Sequence, residues 1–463
     1  MHLTADWFKG KRVTVMGLGV HGGGLGSAKW LMRRGAHVTV TDLQDQHALA
    51  ASISELERTF LMEVRRRGKL NIHRIRYVLG RHDEADFARA DMVIRNPAVP
   101  RKNPFLAIAI KSGVPVESDI SIFFALCPFP ISAISGTKGK TTTTKLLAAI
   151  CAAHDKRTAV GGNLRISSFD SLDRLLKIAS SKSGAADAPP VVLELSSWQL
   201  ESVEHSHKHG EHVHPHVGIL TNVAADHLDR YDGIDDYARA KELLIAFQKE
   251  GDIAVVNADD ARIAAMGRKV SAVKGSTHGG GRLWYSLRPL KKGLDGAFVR
   301  GGKAMLRVRG TETALFPLNI IRMPGEHNVS NVLAAALGAV ALGIPRATLV
   351  KAIKAFGGVP GRLQEIAVKN GIRFVNDTAS TSPGAGVAAL VALGAARHGA
   401  KKGASKNIVL IAGGADKDSS FTEWAAAAKK HVKHLVLFDG AGTVKMEAAM
   451  QKAGVKIPAY GAR

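Results

Sequence analysis

Residues 131–141 read ISAISGTKGKT, an apolar run that passes directly into a glycine-rich turn. The apolar part is typical of a buried strand, and the glycines let successive backbone N–H groups face phosphate oxygens. The lysine and the hydroxyl that follow suit nucleotide phosphates and Mg²⁺. Ile134 stands where the usual spacing has a further glycine, so an ordinary strand-to-helix turn is the alternative. We predict a site for ATP phosphates at Gly136, Thr137, Lys138, Gly139, Lys140, Thr141 and Thr142.

The length and composition of the chain predict a soluble protein of two or three domains. Its 463 residues exceed what one hydrophobic core usually serves. No apolar run approaches the ~20 residues that span a bilayer, and no secretory signal is apparent. Cys127 and Cys151 are too few for a disulfide framework, so we expect buried thiols in a reducing cytoplasm.

The formal charge of +24 raises the question of nucleic-acid binding. Basic residues cluster between Arg58 and Arg81, but no helix-turn-helix, zinc-finger or aromatic RNA-binding signature accompanies them. We therefore expect a solvated basic surface and no nucleic-acid partner. A basic ATPase stimulated by nucleic acid is the alternative, and it predicts a steep salt dependence of binding.

The segment His205–His216 is dense in imidazoles, which zinc or nickel could bind. Its glycine and proline, and the lack of a fixed tetrahedral spacing, favour an exposed insertion without a metal.

A strand followed by glycine occurs three times, which is typical of parallel α/β sheets that bind ligands at the carboxyl ends of their strands. We predict an α/β chain of three units. The first is a Rossmann-like unit over 1–128, the second a central ATP-binding unit with a parallel sheet over 129–361, and the third a C-terminal Rossmann-like unit over 362–463. The three strand-glycine segments are Val13–Gly19, Ile131–Gly136 and Ile408–Gly414.

The first unit contains Gly17-Leu18-Gly19, a predicted helix near Ser27–Arg34 and a strand His37–Thr41 that ends at Asp42. This pattern is similar to a dinucleotide fingerprint, so a nicotinamide dehydrogenase is one interpretation. The same geometry can hold a uridine diphosphate, with Asp42 accepting from the uracil or ribose.

Two apolar strands of the central unit end in polar groups. Val191–Leu195 carries Glu194, which can hold Mg²⁺ beside the phosphate loop or can serve as a cap or ion-pair partner. Gly218–Val223 leads to Asp226 and His227, and the histidine is either a metal ligand or satisfied by local hydrogen bonds.

Together these motifs form an ordered series, and the chain resembles the Mur ligases of peptidoglycan synthesis over nearly its whole length. Within that family, the N-terminal glycine unit and the segment SSWQLE are most similar to the MurD branch, which adds glutamate to UDP-N-acetylmuramoyl-L-alanine. Besides the phosphate loop, the motifs are Gly161-Gly162-Asn163, LELSSWQLE over 193–201, Thr221-Asn222-Val223 with DHLD over 226–229, NADD over 257–260, and GEHN over 325–328 with Asn331.

The resemblance implies a role for each matching position. ATP and two Mg²⁺ ions would be bound, with Thr141, Glu194, His227 and a Lys241 carbamylated by CO₂ forming the metal sites. Lys140, Glu194, His227 and Lys241 would be catalytic. Asn328, Asn331, Arg362 and Asp377 would contact the nucleotide. The implied substrate contacts are Gly17, Gly19, Asp42, Asn163, Ser196 and Lys417.

The implied reaction activates the terminal carboxylate of the UDP-linked substrate as an acyl phosphate, which the amine of glutamate then attacks. Closure about Arg362 would keep water out. A monomeric cytoplasmic enzyme without membrane insertion is expected.

The chain departs from the family pattern in its last part. Ala379 stands where MurD enzymes usually carry a lysine, and the following Ser380–Pro383 is similar to the relatives that add L-glutamate, so the stereochemistry is open. No Ser-Pro…Ser…Phe motif occurs before Arg463, so the last unit looks incomplete. Its strands at 408–411 and 434–438 are then expected to lack later neighbours.

Two further alternatives follow from the same residues. A folylpolyglutamate synthase would share the phosphate loop, but it normally lacks the Gly17-Leu18-Gly19 unit. A nucleotide-binding protein without catalysis is favoured if the last unit is truly incomplete.

Overall fold

The computed structural model describes residues 3–19, 23–67, 73–164, 166–181, 188–204, 207–208, 211–226, 230–270, 281–395, 406–415, 419–455 and 459–462. These form helices packed on three sheets that contain parallel strands, together with two short antiparallel pairs. The predicted α/β class is confirmed. No described helix is both long enough and apolar enough to cross a membrane.

The N-terminal sheet is wholly parallel, with the order β3-β2-β1-β4-β5. This order reverses between β1 and β4, and such a switch point leaves a crevice at the carboxyl ends of the strands. The helix predicted near Ser27 begins earlier, at Gly23. The elements, preceded by a 3-10 helix at Ala5–Phe8, are β1 (Arg12–Met16), α1 (Gly23–Arg33), β2 (His37–Asp42), α2 (Ala50–Arg67), β3 (Arg76–Leu79), α3 (Glu84–Ala88), β4 (Met92–Arg95), α4 (Pro104–Lys111), β5 (Val116–Glu117) and α5 (Asp119–Leu126).

The central sheet has nine strands in the order β16-β15-β14-β13-β12-β11-β6-β8-β7. Its strands are β6 (Ile131–Ser135), β7 (Ala159–Gly162), β8 (Val191–Glu194), β11 (Val217–Leu220), β12 (Ile253–Asn257), β13 (Arg282–Ser286), β14 (Gly296–Arg300), β15 (Lys303–Val308) and β16 (Thr311–Pro317), and β9 (His207–Lys208) pairs separately with β10 (Glu211–His212). Its helices are α6 (Lys140–His154), α7 (Phe169–Ser180), α8 (Ser197–Val203), α9 (Ile234–Ala246), α10 (Ala261–Lys269), α11 (Glu326–Ala341) and α12 (Arg346–Ala355), with a 3-10 helix at Leu318–Ile320.

The strands around the predicted site are buried on both faces, which is typical of a parallel sheet covered by helices. Helix α11 is buried continuously from Asn331 to Ala339 because it is apolar on almost every side. It packs with α6 on one face of the sheet. The phosphate loop therefore stands on a rigid layer.

The central sheet is not parallel throughout, which the sequence interpretation missed. Strands β14, β15 and β16 pair antiparallel through two-residue turns at Gly301-Gly302 and Arg309-Gly310. Both residues of each turn have positive φ, as a tight hairpin with the usual twist requires. The Gly301-Gly302 pair and Gly310 were the sequence features that could have predicted these hairpins.

The C-terminal part contains a hairpin and a three-stranded parallel sheet of order β19-β20-β21. The prediction that residues 434–438 lack a later neighbour is wrong, because β21 pairs with β20 from Leu435 onward. Whether this unit is incomplete stays a prediction. The elements are β17 (Gln364–Lys369), β18 (Ile372–Asn376), α13 (Pro383–Ala395), β19 (Ile408–Ala412), α14 (Thr422–His431), β20 (Val432–Phe438), α15 (Ala441–Lys452) and β21 (Ala459–Ala462).

Both cysteines are buried, as predicted. Part of the histidine-rich segment is described, and its last residues are not the exposed insertion that we predicted. His214 and His216 place their Nδ1 atoms 2.7 and 3.2 Å from the two carboxylate oxygens of Asp252, which is 8% exposed. Burial alone would raise the pKa of Asp252, but the two histidines hold it below its usual value. Residues 205, 206, 209 and 210 lie outside the described residues.

Candidate active site at the phosphate loop

The phosphate loop, residues 136–141, connects β6 to α6 and depends on two glycines. Gly136 and Gly139 have φ of 144° and 86°. A Cβ atom would lie 1.9 Å from Thr221 Oγ1 at the first position and 2.3 Å from Asn331 Oδ1 at the second. Helix α6 begins without a side-chain cap from any described residue, so its first backbone N–H groups face the loop. An anion would be stabilised there by the helix dipole.

A second loop, which follows β11, holds the phosphate loop from the side. The carboxamide of Asn222 accepts from Lys138 N at 2.9 Å and donates to Lys138 O at 2.9 Å. Thr137 Oγ1 accepts from Ala224 N at 3.0 Å, and the Lys138 ammonium lies 3.1 Å from Asp226 Oδ2. These contacts fix the loop before any ligand binds.

Two lysines converge on one carbonyl oxygen. Lys140 Nζ donates to Gly136 O and Thr137 O, both at 2.9 Å, and Lys241 Nζ also donates to Gly136 O at 2.9 Å. Lys241 is 1% exposed, and its ammonium nitrogen lies 4.2 Å from the ring centre of Tyr237. Burial, assisted by the nearby charge of Lys140, lowers the pKa of Lys241 to about 6. Burial also lowers the pKa of Lys140. Burial thus favours the neutral amine form of Lys241.

Glu194 ends β8 beside the loop and is 2% exposed. Its Oε1 accepts from Asn163 Nδ2 at 2.9 Å, while its Oε2 accepts no hydrogen bond from any described residue. The charge of Glu194 opposes the lowering of the Lys140 pKa, so the two groups are close. A buried carboxylate oxygen without a protein donor fits a cation ligand.

Arg362, 221 residues away in sequence, reaches the same loop. Its Nη2 donates to Thr141 Oγ1 at 3.3 Å. The hydroxyl that was predicted to bind Mg²⁺ is thus next to the guanidinium that was predicted to bind the nucleotide. This pairing places the beginning of the C-terminal part at the phosphate loop.

Three further residues of the predicted nucleotide set lie on α11 and after β18. Asn331 donates to Asn328 Oδ1 at 3.3 Å, and its own Oδ1 faces Gly139. Asp377 accepts from Leu363 N at 2.9 Å, and burial raises its pKa. Asn331 therefore borders the phosphate loop, Asn328 contacts Asn331, and Asp377 braces the backbone next to Arg362.

Three of the six predicted substrate contacts, Gly17, Gly19 and Asp42, lie at the N-terminal crevice beside the carboxyl ends of β1 and β4. Asp42 Oδ2 accepts from Leu18 N at 2.9 Å and from Gly19 N at 3.2 Å. Asn96 Nδ2 donates to Gly17 O at 3.1 Å from the other side. Asp42 thus shapes the glycine turn, and its role toward a ligand stays a prediction.

Some predicted residues are not tested by this geometry. The hydroxyl of Ser196 caps α8 by accepting from Gln199 N at 3.2 Å. Thr142 is buried in the first turn of α6. His227 and Lys417 lie outside the described residues.

The sequence interpretation missed three contributors to the site: Asn222, Asp226 and Tyr237. The first two were quoted only as parts of motifs, although they lie two and six residues after the buried strand β11. Tyr237 lies four residues before Lys241 on α9, so helical spacing was a usable signal for their contact.

Comparisons with known proteins agree with this arrangement. The profile of the Mur ligase middle domain matches residues 134–339, and that of the MurD-like N-terminal domain matches residues 11–118. A UDP-N-acetylmuramoylalanine--D-glutamate ligase of Roseiflexus sp. (strain RS-1) is 37% identical over 459 residues, covering 98% of this chain and 88% of that protein. The chain belongs to the Mur ligase family. A ligase of the same name from Geobacter metallireducens is 34% identical, covering 92% and 82%.

Solved structures of two other ligases share the fold. The UDP-N-acetylmuramate-alanine ligase MurC from Thermotoga maritima superposes with a TM-score of 0.56 at 20% identity, covering 98% of this chain and 91% of that one. A pseudomurein peptide ligase type C from Methanothermus fervidus gives a TM-score of 0.52 at 19% identity, covering 98% and 88%. The resemblance inferred from motifs is thereby confirmed at the level of the family and the fold.

Proposed function

We propose that this Mur ligase adds D-glutamate to UDP-N-acetylmuramoyl-L-alanine in the cytoplasm, using ATP and forming an acyl phosphate. The observation that carries the proposal is the convergence of Lys140, Lys241 and Glu194 on a phosphate loop, in a chain 37% identical to a ligase of that name. Domain limits of 1–128, 129–361 and 362–463 are part of the same proposal.

The residues divide the proposed chemistry between them. The N-terminal crevice holds the UDP end of the substrate, and the phosphate loop holds ATP. Oxygen of the substrate carboxylate attacks the γ-phosphorus, the bond to the β-phosphate oxygen breaks, and ADP leaves. Lys140 neutralises charge on the transferring group, which is the main protein contribution in such reactions. The neutral glutamate amine then attacks the acyl carbon, the bond to the phosphate oxygen breaks, and the nitrogen releases one proton to solvent as the amide forms.

Mg²⁺ fits the residues present. Glu194 Oε2 is buried without a described donor, and the Thr141 hydroxyl lies in the same loop region. We propose both as ligands, together with His227 and a carbamylated Lys241 for a second ion. Bound Mg²⁺ would supply positive charge to the phosphate oxygens.

The Glu194→Gln variant tests this assignment without turnover. We expect binding of Mn²⁺, used as a paramagnetic probe in the presence of ADP, to weaken at least about tenfold, because a neutral amide replaces the buried carboxylate. Electron paramagnetic resonance, which detects the free Mn²⁺, measures the affinity. Glu242→Gln is the matched control, since that carboxylate pairs with Lys269 at 2.8 Å outside the loop. Equal Mn²⁺ affinities in the two variants would contradict the assignment.

Carbamylation is proposed because Lys241 combines burial with a pKa of about 6. Its neutral amine attacks CO₂, forms the N–C bond and releases one proton, which leaves a carboxylate on the side chain. A plain ammonium could not serve as a metal ligand.

The pH dependence of this modification follows from the lowered pKa. At a constant pressure of ¹³CO₂, the carbamate signal in ¹³C NMR should be weak below pH 6 and rise above it, because only the neutral amine reacts. Lys241→Arg should lack the signal. A wild-type chain without any carbamate signal at pH 8 would overturn the modification.

The reaction itself is tested by phosphate release from ATP with Mg²⁺ and UDP-N-acetylmuramoyl-L-alanine. Three parallel assays contain D-glutamate, L-glutamate or neither. Release that depends on D-glutamate supports the proposal. Release only with L-glutamate would assign the chain to the other stereochemistry, which the Ser380–Pro383 segment keeps open. If neither enantiomer stimulated release, the ligase assignment would be removed.

A further inference from the structure

A partly buried cluster of polar side chains joins the N-terminal sheet to the central sheet. At its centre, Arg230 Nη1 donates to Pro97 O at 3.0 Å. The same guanidinium lies over Trp198, with its Cζ 4.3 Å from the ring centre, and its Nη2 is 3.5 Å from Glu201 Oε2. The Arg230 and Glu201 side chains are only 14% and 12% exposed. A contact this well shielded from water resists screening by salt more than a surface ion pair does.

A second guanidinium, that of Arg95, holds the turn over residues 96–99, which contains Pro97. Arg95, 4% exposed, donates through Nη1 to Val99 O at 2.7 Å and through Nη2 to Ser202 Oγ at 3.0 Å. The turn over residues 96–99 is therefore fastened to α8 at one end by Arg95 and to the loop after β11 at the other by Arg230. The planar guanidinium of Arg230 stacks on Trp198 and donates to Pro97 O at the same time, and a lysine ammonium cannot do both.

The two segments that Arg230 joins border the two ligand regions. The 96–99 turn begins with Asn96, which holds Gly17 of the N-terminal crevice at 3.1 Å. On the other side, Arg230 follows Asp226 by four residues in sequence, and the Asp226 carboxylate lies 3.1 Å from Lys138 Nζ of the phosphate loop. Arg230 thus contacts the wall of the crevice and lies close in sequence to a residue that supports the phosphate loop.

We propose that Arg230 is a positioning residue that sets the N-terminal crevice at a fixed distance from the phosphate loop. The inference rests on the proposed function, in which a substrate bound by its UDP end must present its carboxylate to ATP. A misplacement of about 1 Å can reduce a rate by about 10²-fold without touching the reacting atoms.

The first variant is Arg230→Met, which keeps an apolar stem but removes the donors and the charge. We expect kcat to fall about 10- to 100-fold while KM for ATP changes less than about twofold, because the phosphate loop itself is intact. Arg230→Lys should recover only part of kcat. An unchanged kcat in Arg230→Met would overturn the inference.

A second variant separates positioning from the burial of an unpaired charge. Arg230→Met takes the guanidinium at 3.5 Å away from the buried Glu201, which is destabilising in itself even though Arg95 acts on the same carboxylate. Adding Glu201→Gln removes that charge and still leaves an acceptor for Tyr231 Oη, now 2.6 Å from Glu201 Oε1. We expect the double variant to regain thermal stability but not kcat. Recovery of both together would show a merely structural role and would sink the inference.

The matched control is Arg101→Met. Arg101, two residues after the same turn, forms an ion pair with Glu204 at the end of α8 at 3.5 Å, but both side chains are about two-fifths exposed. Solvent-exposed ion pairs of this kind contribute little to the stability of a contact, so kcat of Arg101→Met should stay at the wild-type value.

Amide hydrogen exchange on the full chain gives a readout that needs no turnover. Val99 N donates to Asn96 O, and Ala224 N donates to Thr137 Oγ1. Exchange over 96–99 and 222–226 should be faster in Arg230→Met and unchanged in Arg101→Met. If the wild-type chain released no phosphate, the proposed function would fail, but the exchange measurement would still test the role of Arg230. Exchange at the wild-type rate in Arg230→Met would overturn the inference.

Discussion

ADP formation by the Lys140→Met variant is expected to fall about 10³-fold, because the phosphate loop loses the cation that faces the transferring phosphoryl group. In the structure the Lys140 ammonium lies on Gly136 O and Thr137 O, within the loop that we propose for ATP. On binding, we expect these carbonyl contacts to be exchanged for phosphate oxygens. Phosphate release under saturating Mg²⁺ measures the effect.

Lys145→Met is the control for this variant. Lys145 lies on α6 but beyond the phosphate loop, so the substitution removes one positive charge from the same helix without removing a loop donor. It should retain near wild-type turnover. Equal activities of the two variants would contradict the role of Lys140.

The Lys241→Met variant should be more stable than the wild type and yet inactive. The folded pKa of about 6 lies well below the ordinary value near 10.4, so between these two values the unfolded chain binds more protons than the folded chain. This cost of burying the lysine grows as the pH falls from 10.4 toward 6, and at pH 8 it is about 3 kcal/mol. Methionine carries no such cost.

The loss of its donor does not leave Gly136 O unpaired, since Lys140 also donates to that oxygen. We therefore expect an unfolding free energy higher by up to about 3 kcal/mol at pH 8 in CO₂-free buffer, and a smaller gain at pH 9.5. Glutamate-dependent phosphate release should fall at least about 10²-fold, because neither an amine nor a carbamate remains.

Chemical denaturation at two pH values measures the gain in stability, and the phosphate-release assay measures the loss of activity. Lys269→Met is the control, because Lys269 is 69% exposed and pairs with Glu242 on the surface. It should change neither quantity greatly. A Lys241→Met variant that is both active and no more stable would contradict the interpretation of Lys241.

Much of the local organisation could be predicted from the sequence. The apolar runs before Gly17 and Gly136 are β1 and β6, and Glu194 stands at the end of a buried strand as expected. Such patterns depend on backbone sterics and on the alternation or continuity of apolar residues over a few positions. The antiparallel edge β14–β16 and the β20–β21 pair were missed, since strand partners are chosen by contacts distant in sequence.

The sequence by itself determined that this chain would build parallel α/β sheets and carry a phosphate loop with Mur ligase motifs, because these depend on local residue order. Only the tertiary structure decided that Lys241 would share the Gly136 carbonyl with Lys140, across 105 residues, and that Arg230 would reach Pro97, across 133. The lowered pKa of Lys241 follows from burial, which a helical lysine in a sequence does not reveal. Strand order and packing bring these distant groups together, and neither can be predicted from the local sequence pattern.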